Sequence, residues 1–116
     1  RAGFDQRALR RRGYNLRYVL VLGSGRLARQ VLAEIDAHRE LGFWAVGCLS
    51  LTRPRVGMKV AGTEVIGTVR DLKAVLLRQQ VDQVLVALPT RCFHLLPRIM
   101  EVCADTTVDV KLVPDP

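Results

Sequence analysis

A chain of 116 residues, 49% apolar and 25% charged, has room for one globular domain and is too short for a nucleotide domain joined to a substrate domain. No apolar run approaches the roughly 20 residues of a membrane span, and the arginine-rich start lacks the apolar centre of a secretory signal. The net charge of +7 is lopsided: residues 1–29 hold Arg1, Arg7, Arg10, Arg11, Arg12, Arg17, Arg26 and Arg29 against Asp5 alone, so a neutral body carries a basic arm.

Residues 1–16 read as a leader, helical around residues 6–12 and broken by Gly13 and Asn15. An anionic membrane surface is the favoured partner of such an arm, ahead of plain solvation. Nucleic acid is disfavoured, because few aromatics are present to stack bases and no recognition motif follows. The first strand is expected over residues 18–22. A helix over 26–39 follows, since Leu27, Val31, Leu32 and Ile35 make one apolar stripe, and Gly42 stands in the C-terminal capping position. Residues 43–49 form a continuous apolar run, as in a parallel strand covered on both faces. Residues 50–62 are punctuated by Pro54, Gly57 and Gly62 and read as loop, with a short third strand at 64–66. Thr68-Val-Arg-Asp71 has the form of a capping box, and Leu72, Val75 and Leu76 follow at helical spacing. The fourth strand is placed at 83–88, stopped by Pro89. A last helix is supplied by Leu95, Leu96, Ile99, Met100, Val102 and Cys103, with Pro97 confined to its first turn. Residues 108–113 are the fifth strand. Strands separated by helices require right-handed crossovers, which predicts an α/β, Rossmann-like three-layer domain over 17–116. Its sheet is parallel, with about five strands in the order 3-2-1-4-5 and helices on both faces.

The chemistry concentrates where the first strand meets its helix. Gly23, Gly25 and Ala28 stand at the spacing of the dinucleotide-binding fingerprint. Gly23 permits the sharp turn, Gly25 lets a phosphate approach bare backbone, and Ala28 lets the helix pack closely. The loop Gly23-Ser24-Gly25 would present the backbone N–H groups of Gly25, Arg26 and Leu27 to a phosphate, with Arg26 adding a charge-assisted contact. The competing reading is a tight turn kept for packing alone. The acid that holds an adenosine ribose should end the second strand, yet no acidic residue lies between Glu40 and Glu64. The strand ends in Leu49-Ser-Leu-Thr-Arg53, so Ser50 and Arg53 are the candidate contacts there. NAD in its usual mode is disfavoured; Arg53 and Arg55 would suit a 2′-phosphate unless they are merely solvated. Pro89, Thr90 and Arg91 follow the fourth strand at the sheet's carboxyl edge, where α/β ligands bind. Catalytic groups are lacking: no Ser/His/Asp order, no Tyr-x-x-x-Lys pair and no paired carboxylates are present. Cys48, Cys92 and Cys103 read as reduced thiols, and His38 and His94 lack ligand spacing, so no metal is expected.

Arg10-Arg-Arg-Gly-Tyr-Asn-Leu-Arg17, leading into Val-Leu-Val-Leu-Gly-Ser-Gly-Arg-Leu-Ala, resembles the cytoplasmic segment of bacterial polyprenyl-phosphate sugar-1-phosphate transferases of the undecaprenyl-phosphate glucose phosphotransferase type. The similarity continues through Leu41-Gly-Phe-Trp-Ala-Val-Gly47, Gly67-Thr-Val-Arg-Asp-Leu72, Val81-Asp-Gln-Val-Leu-Val-Ala-Leu-Pro89, Ala104-Asp-Thr-Thr107 and Val110-Lys-Leu-Val-Pro-Asp115, and so spans residues 7–116. The resemblance implies a CoA-binding-like domain between transmembrane helices and a catalytic module, at the cytoplasmic face of the bacterial inner membrane. The basic arm then becomes a juxtamembrane segment. The reaction implied for the parent protein is transfer of a hexose-1-phosphate from a UDP-sugar to undecaprenyl phosphate in exopolysaccharide synthesis. The family's catalytic acids would lie beyond residue 116, so none is assigned here. Many relatives carry an acid after the second strand, and this sequence departs from them there.

The sequence, which begins without Met and stops at Val-Pro-Asp-Pro, is therefore read as a piece of a longer protein. It is expected to be a non-catalytic regulatory or scaffolding domain, holding a nucleotide, a UDP-sugar or a CoA-like pyrophosphate if it holds anything. Its expected partners are the membrane through flanking helices, the catalytic module and a second copy of itself. The alternatives are the amino-terminal domain of an NADP-dependent nucleotide-sugar dehydratase or epimerase, and a ligand-free interaction module.

Overall fold

The computed structural model describes residues 15–115. The expected leader over 1–16, including its helix at 6–12, lies outside the described residues except for its last two. Strand β1 (Arg17–Leu22) leads into helix α1 (Arg26–Ala37), then β2 (Phe43–Ser50), a short β3 (Lys59–Val60) and β4 (Thr63–Thr68). Helix α2 (Leu72–Arg78), β5 (Gln83–Val86), α3 (Leu96–Ala104) and β6 (Asp109–Leu112) complete the order. The sheet has six strands in the order β3-β4-β2-β1-β5-β6, parallel throughout except at β3. With β3 set aside this is the expected 3-2-1-4-5 order.

β1 lies in the middle because both of its faces are apolar. Val19 and Val21 pack with Leu27, Ala28 and Leu32 of α1, whereas Leu20 and Leu22 pack with Leu72 and Val75 of α2 and Ile99 and Cys103 of α3. All four β1 side chains are fully buried. One layer of helix therefore covers each face, and the chain reverses direction across the sheet between β1 and β5. At the opposite edge Asp82 locks that junction: its carboxylate accepts the Tyr18 N–H at 2.8 Å and its own N–H donates to the Tyr18 carbonyl at 2.8 Å.

Three elements differ from expectation. Helix α1 stops at Ala37 rather than at residue 39; His38 leaves the helical region, and a separate 3₁₀ turn (Arg39–Leu41) is what Gly42 caps, at φ 83°. Arg39, in that turn, pairs with Asp36 at 2.9 Å and lies over the Trp44 ring, whose centroid is 5.8 Å away. The third strand runs over six residues and is half of a hairpin with β3, turned by Ala61 and Gly62, both at positive φ. β5 ends at Val86, two residues before the expected 88. The capping box forms, with both Thr68 and Asp71 bonding to the other's backbone N–H, and Pro97 sits in the first turn of α3.

Candidate anion-binding site

The glycine loop leaves the sheet at the reversal point. Gly23 donates its N–H to Leu49 O at 2.7 Å, and the next strand's Ala87 donates to Leu22 O at 2.8 Å, so the turn is fixed from both sides. Gly23 has φ 123°, and a Cβ there would fall 2.4 Å from Ala87 O; no side chain fits. Gly25 is the opposite case. A Cβ on it would meet nothing within 4 Å, so its backbone faces open space. Gly25 is also the N-cap of α1, with no side-chain cap, and the first-turn N–H groups are left facing that space. Ala28, fully buried against the sheet, makes the close helix packing its place in the fingerprint demands.

Around this mouth lies a cleft of about 410 Å³, lined by Gly23, Ser24, Gly25, Arg26, Leu27, Leu51, Thr52, Arg55, Ala87, Leu88, Pro89 and Arg91. Three of these are arginines, and no acidic residue lines the cleft among the described residues. Arg55 is the built part of the site: its Nε donates to Ser24 Oγ and its Nη2 to the Ser24 carbonyl, both at 2.8 Å. The guanidinium thus clamps the loop and sets a positive charge beside it. Its field also reaches Cys48, where it offsets only part of the burial that pushes that thiol up to about 11.

Of the residues singled out in the sequence, the structure gathers Gly23, Ser24, Gly25, Arg26, Leu27, Arg55, Pro89 and Arg91 around one cleft. Three lie elsewhere. Ser50 is fully buried and its hydroxyl donates to Thr52 O at 2.7 Å, with Gly67 O 3.5 Å away, which makes it a strand-end brace. Arg53 stands 3.4 Å from the Asp71 carboxylate, away from the loop. Thr90 opens a 3₁₀ turn (Thr90–Leu95) and does not line the cleft. Leu51, Thr52, Ala87 and Leu88 join the lining without any sequence signal beyond their place at strand ends. Among the described residues no three His, Cys, Asp or Glu side chains converge as a metal site, and no helix is long and apolar enough to cross a membrane.

Residues 2–114 match the family model of the CoA-binding domain. The chain belongs to that family. A comparison with curated proteins finds no match. Among solved structures, the Rex-family repressor RSP in complex with beta-NADH aligns with a TM-score of 0.65 at 15% identity, over 94% of this chain and 59% of the repressor. UDP-D-quinovosamine 4-dehydrogenase from Vibrio fischeri aligns with a TM-score of 0.72 at 19% identity, over 87% of this chain and 80% of the enzyme. This CoA-binding-type domain therefore spans about three fifths of the repressor's length, and the likenesses establish a Rossmann-type α/β fold.

Proposed function

We propose that the cleft binds the phosphate-bearing part of a nucleotide-type ligand, and that the domain regulates or scaffolds a membrane-bound sugar-1-phosphate transferase without itself catalysing transfer. The observation that carries the binding reading is the arrangement of Arg26, Arg55 and Arg91 about an uncapped helix N-terminus, on a cleft with no lining acid. The Arg55 guanidinium, fixed on Ser24, and the bare N–H donors suit a pyrophosphate, and the missing acid after β2 removes the usual hold on an unmodified ribose diol. CoA, whose adenosine ribose is phosphorylated, satisfies this chemistry better than NAD, and UDP and UDP-sugars meet its pyrophosphate part alone. The transferase reading draws on the ordered sequence blocks and on the eight arginines of residues 1–29, which suit the flank of a membrane segment.

A second reading, the amino-terminal domain of an NADP-dependent nucleotide-sugar dehydratase or epimerase, is favoured by the likeness to the quinovosamine dehydrogenase. Thermal-shift titration with CoA, UDP, UDP-glucose and NADPH separates the two. A ligand at ten times its dissociation constant adds about 1.4 kcal/mol, several degrees for a domain of this size. A response to CoA or the UDP compounds that Gly25→Asp abolishes is the expected result; a response to NADPH alone favours the second reading, and flat curves leave a ligand-free interaction module.

A further inference from the structure

Arg26 lines the cleft, yet its guanidinium is already held by a carboxylate from the far end of the chain. Its Nη2 donates to Asp115 Oδ1 at 2.7 Å, across 89 residues of sequence, and its Nη1 reaches Gln30 Oε1 at 3.5 Å. Asp115 arrives there because Val113 donates its N–H to Val86 O at 3.0 Å, carrying the strand contact of β6 past its end. Val113 and Pro114 then lie along α1, beside Leu27 and Val31. The segment 113–115 is thus a strap laid over the start of α1.

We propose that Asp115 is an internal competitor for the cleft: it occupies Arg26 when the site is empty, and a bound phosphate takes Arg26 and frees the strap. This rests on the reading of the cleft as a phosphate site. Asp115 holds Nη2 of Arg26 and neutralises its charge, so an anion in the cleft meets a weakened partner until it displaces the carboxylate, and phosphate is the stronger claimant because it brings more charge and more acceptor oxygens. Both partners are partly exposed, with side-chain accessibilities of 61% and 36%, so the exchange is easily made. Because coupling is reciprocal, the strap weakens the ligand by the factor with which the ligand loosens the strap.

The test is calorimetric titration of inorganic pyrophosphate into the wild type, Asp115→Asn, Arg26→Gln and the double variant, in low salt. Asp115→Asn is expected to tighten binding about two- to fivefold, the range of an exposed ion pair. In the Arg26→Gln background the same change should do nothing, and saturating pyrophosphate should speed hydrogen exchange at the Val113 amide. Equal affinity of Asp115→Asn and wild type overturns the strap, as does an equal gain in both backgrounds, which would be a through-space charge effect. Absence of pyrophosphate binding by all four proteins overturns the cleft reading and the strap together, whereas binding without coupling removes the strap alone.

Discussion

Two glycines of one motif do opposite work, and single substitutions separate them. At Gly23 a methyl group would have to enter a left-handed backbone and displace Ala87 O from 2.4 Å. Gly23→Ala should therefore cost about 2–4 kcal/mol, the sum of backbone strain and overpacking, read as a lower urea midpoint. At Gly25, with φ −93° and nothing within 4 Å of the added carbon, Gly25→Ala should change stability by less than about 1 kcal/mol. It should nonetheless weaken pyrophosphate or CoA at least about tenfold, because the methyl stands where phosphate meets backbone. A Gly25→Ala protein that binds normally would remove the helix mouth from the site. The arginines show how residue identity falls short of placement. Arg53 and Arg55 are equivalent in sequence, two bases flanking Pro54. The 3₁₀ turn (Arg53–Arg55) that this proline starts sends one to Asp71 and the other to Ser24.

At the scale of elements, local signals succeed where the partner is near in sequence. The Thr68–Asp71 capping box was legible because its bonds span only three residues, and the Asp71 carboxylate does accept the Thr68 N–H at 2.8 Å. That bond first, and the Arg53 charge after it, lowers the Asp71 carboxyl below its ordinary 3.8. A carboxyl that is more acidic in the folded state contributes its stability fully above the unfolded value and loses it as pH falls through the folded one. The stability advantage of wild type over Asp71→Ala should therefore hold from neutral pH down to about pH 4 and shrink below it, as followed by urea unfolding at each pH. An advantage that grew with acid would contradict the bond. The β3–β4 hairpin was missed for a corresponding reason. Its two turn residues both take positive φ, but the first is Ala61 at 47°, where Asn or Asp would have signalled such a turn. Likewise α1 ends early because His38 leaves the helical region at φ −124°, and the apolar stripe of α1 carries no trace of that break.

For the whole molecule, the strongest consequence of the two-faced core concerns its thiols. Cys48, Cys92 and Cys103 are all free and buried, and burial holds the Cys48 thiol near 11. At pH 8 only about one Cys48 in a thousand is thiolate even before access is considered. Alkylation of Cys48 should follow opening of the fold rather than the native state. A ligand at ten times its dissociation constant should slow it about tenfold, measured by mass spectrometry of labelled peptides. Labelling at the rate of a free thiol would mean that the β1–β2–β4 core is loosely packed.

Periodicity and glycine spacing were enough to place most strands and helices and the glycine turn after β1, because those depend on residues within one turn or one strand of each other, and the alternation of strand and helix then gave the parallel order through right-handed crossovers. Which side chains share the cleft was decided only by the tertiary structure. Arg55 reaches Ser24 across 31 residues and Asp115 reaches Arg26 across 89, while Ser50 and Thr90, adjacent in sequence to lining residues, do not line the cleft. A sheet brings the carboxyl ends of distant strands together, and one residue of register or one 3₁₀ turn chooses which side chain arrives there. That choice is made by packing between elements, and no local pattern encodes it.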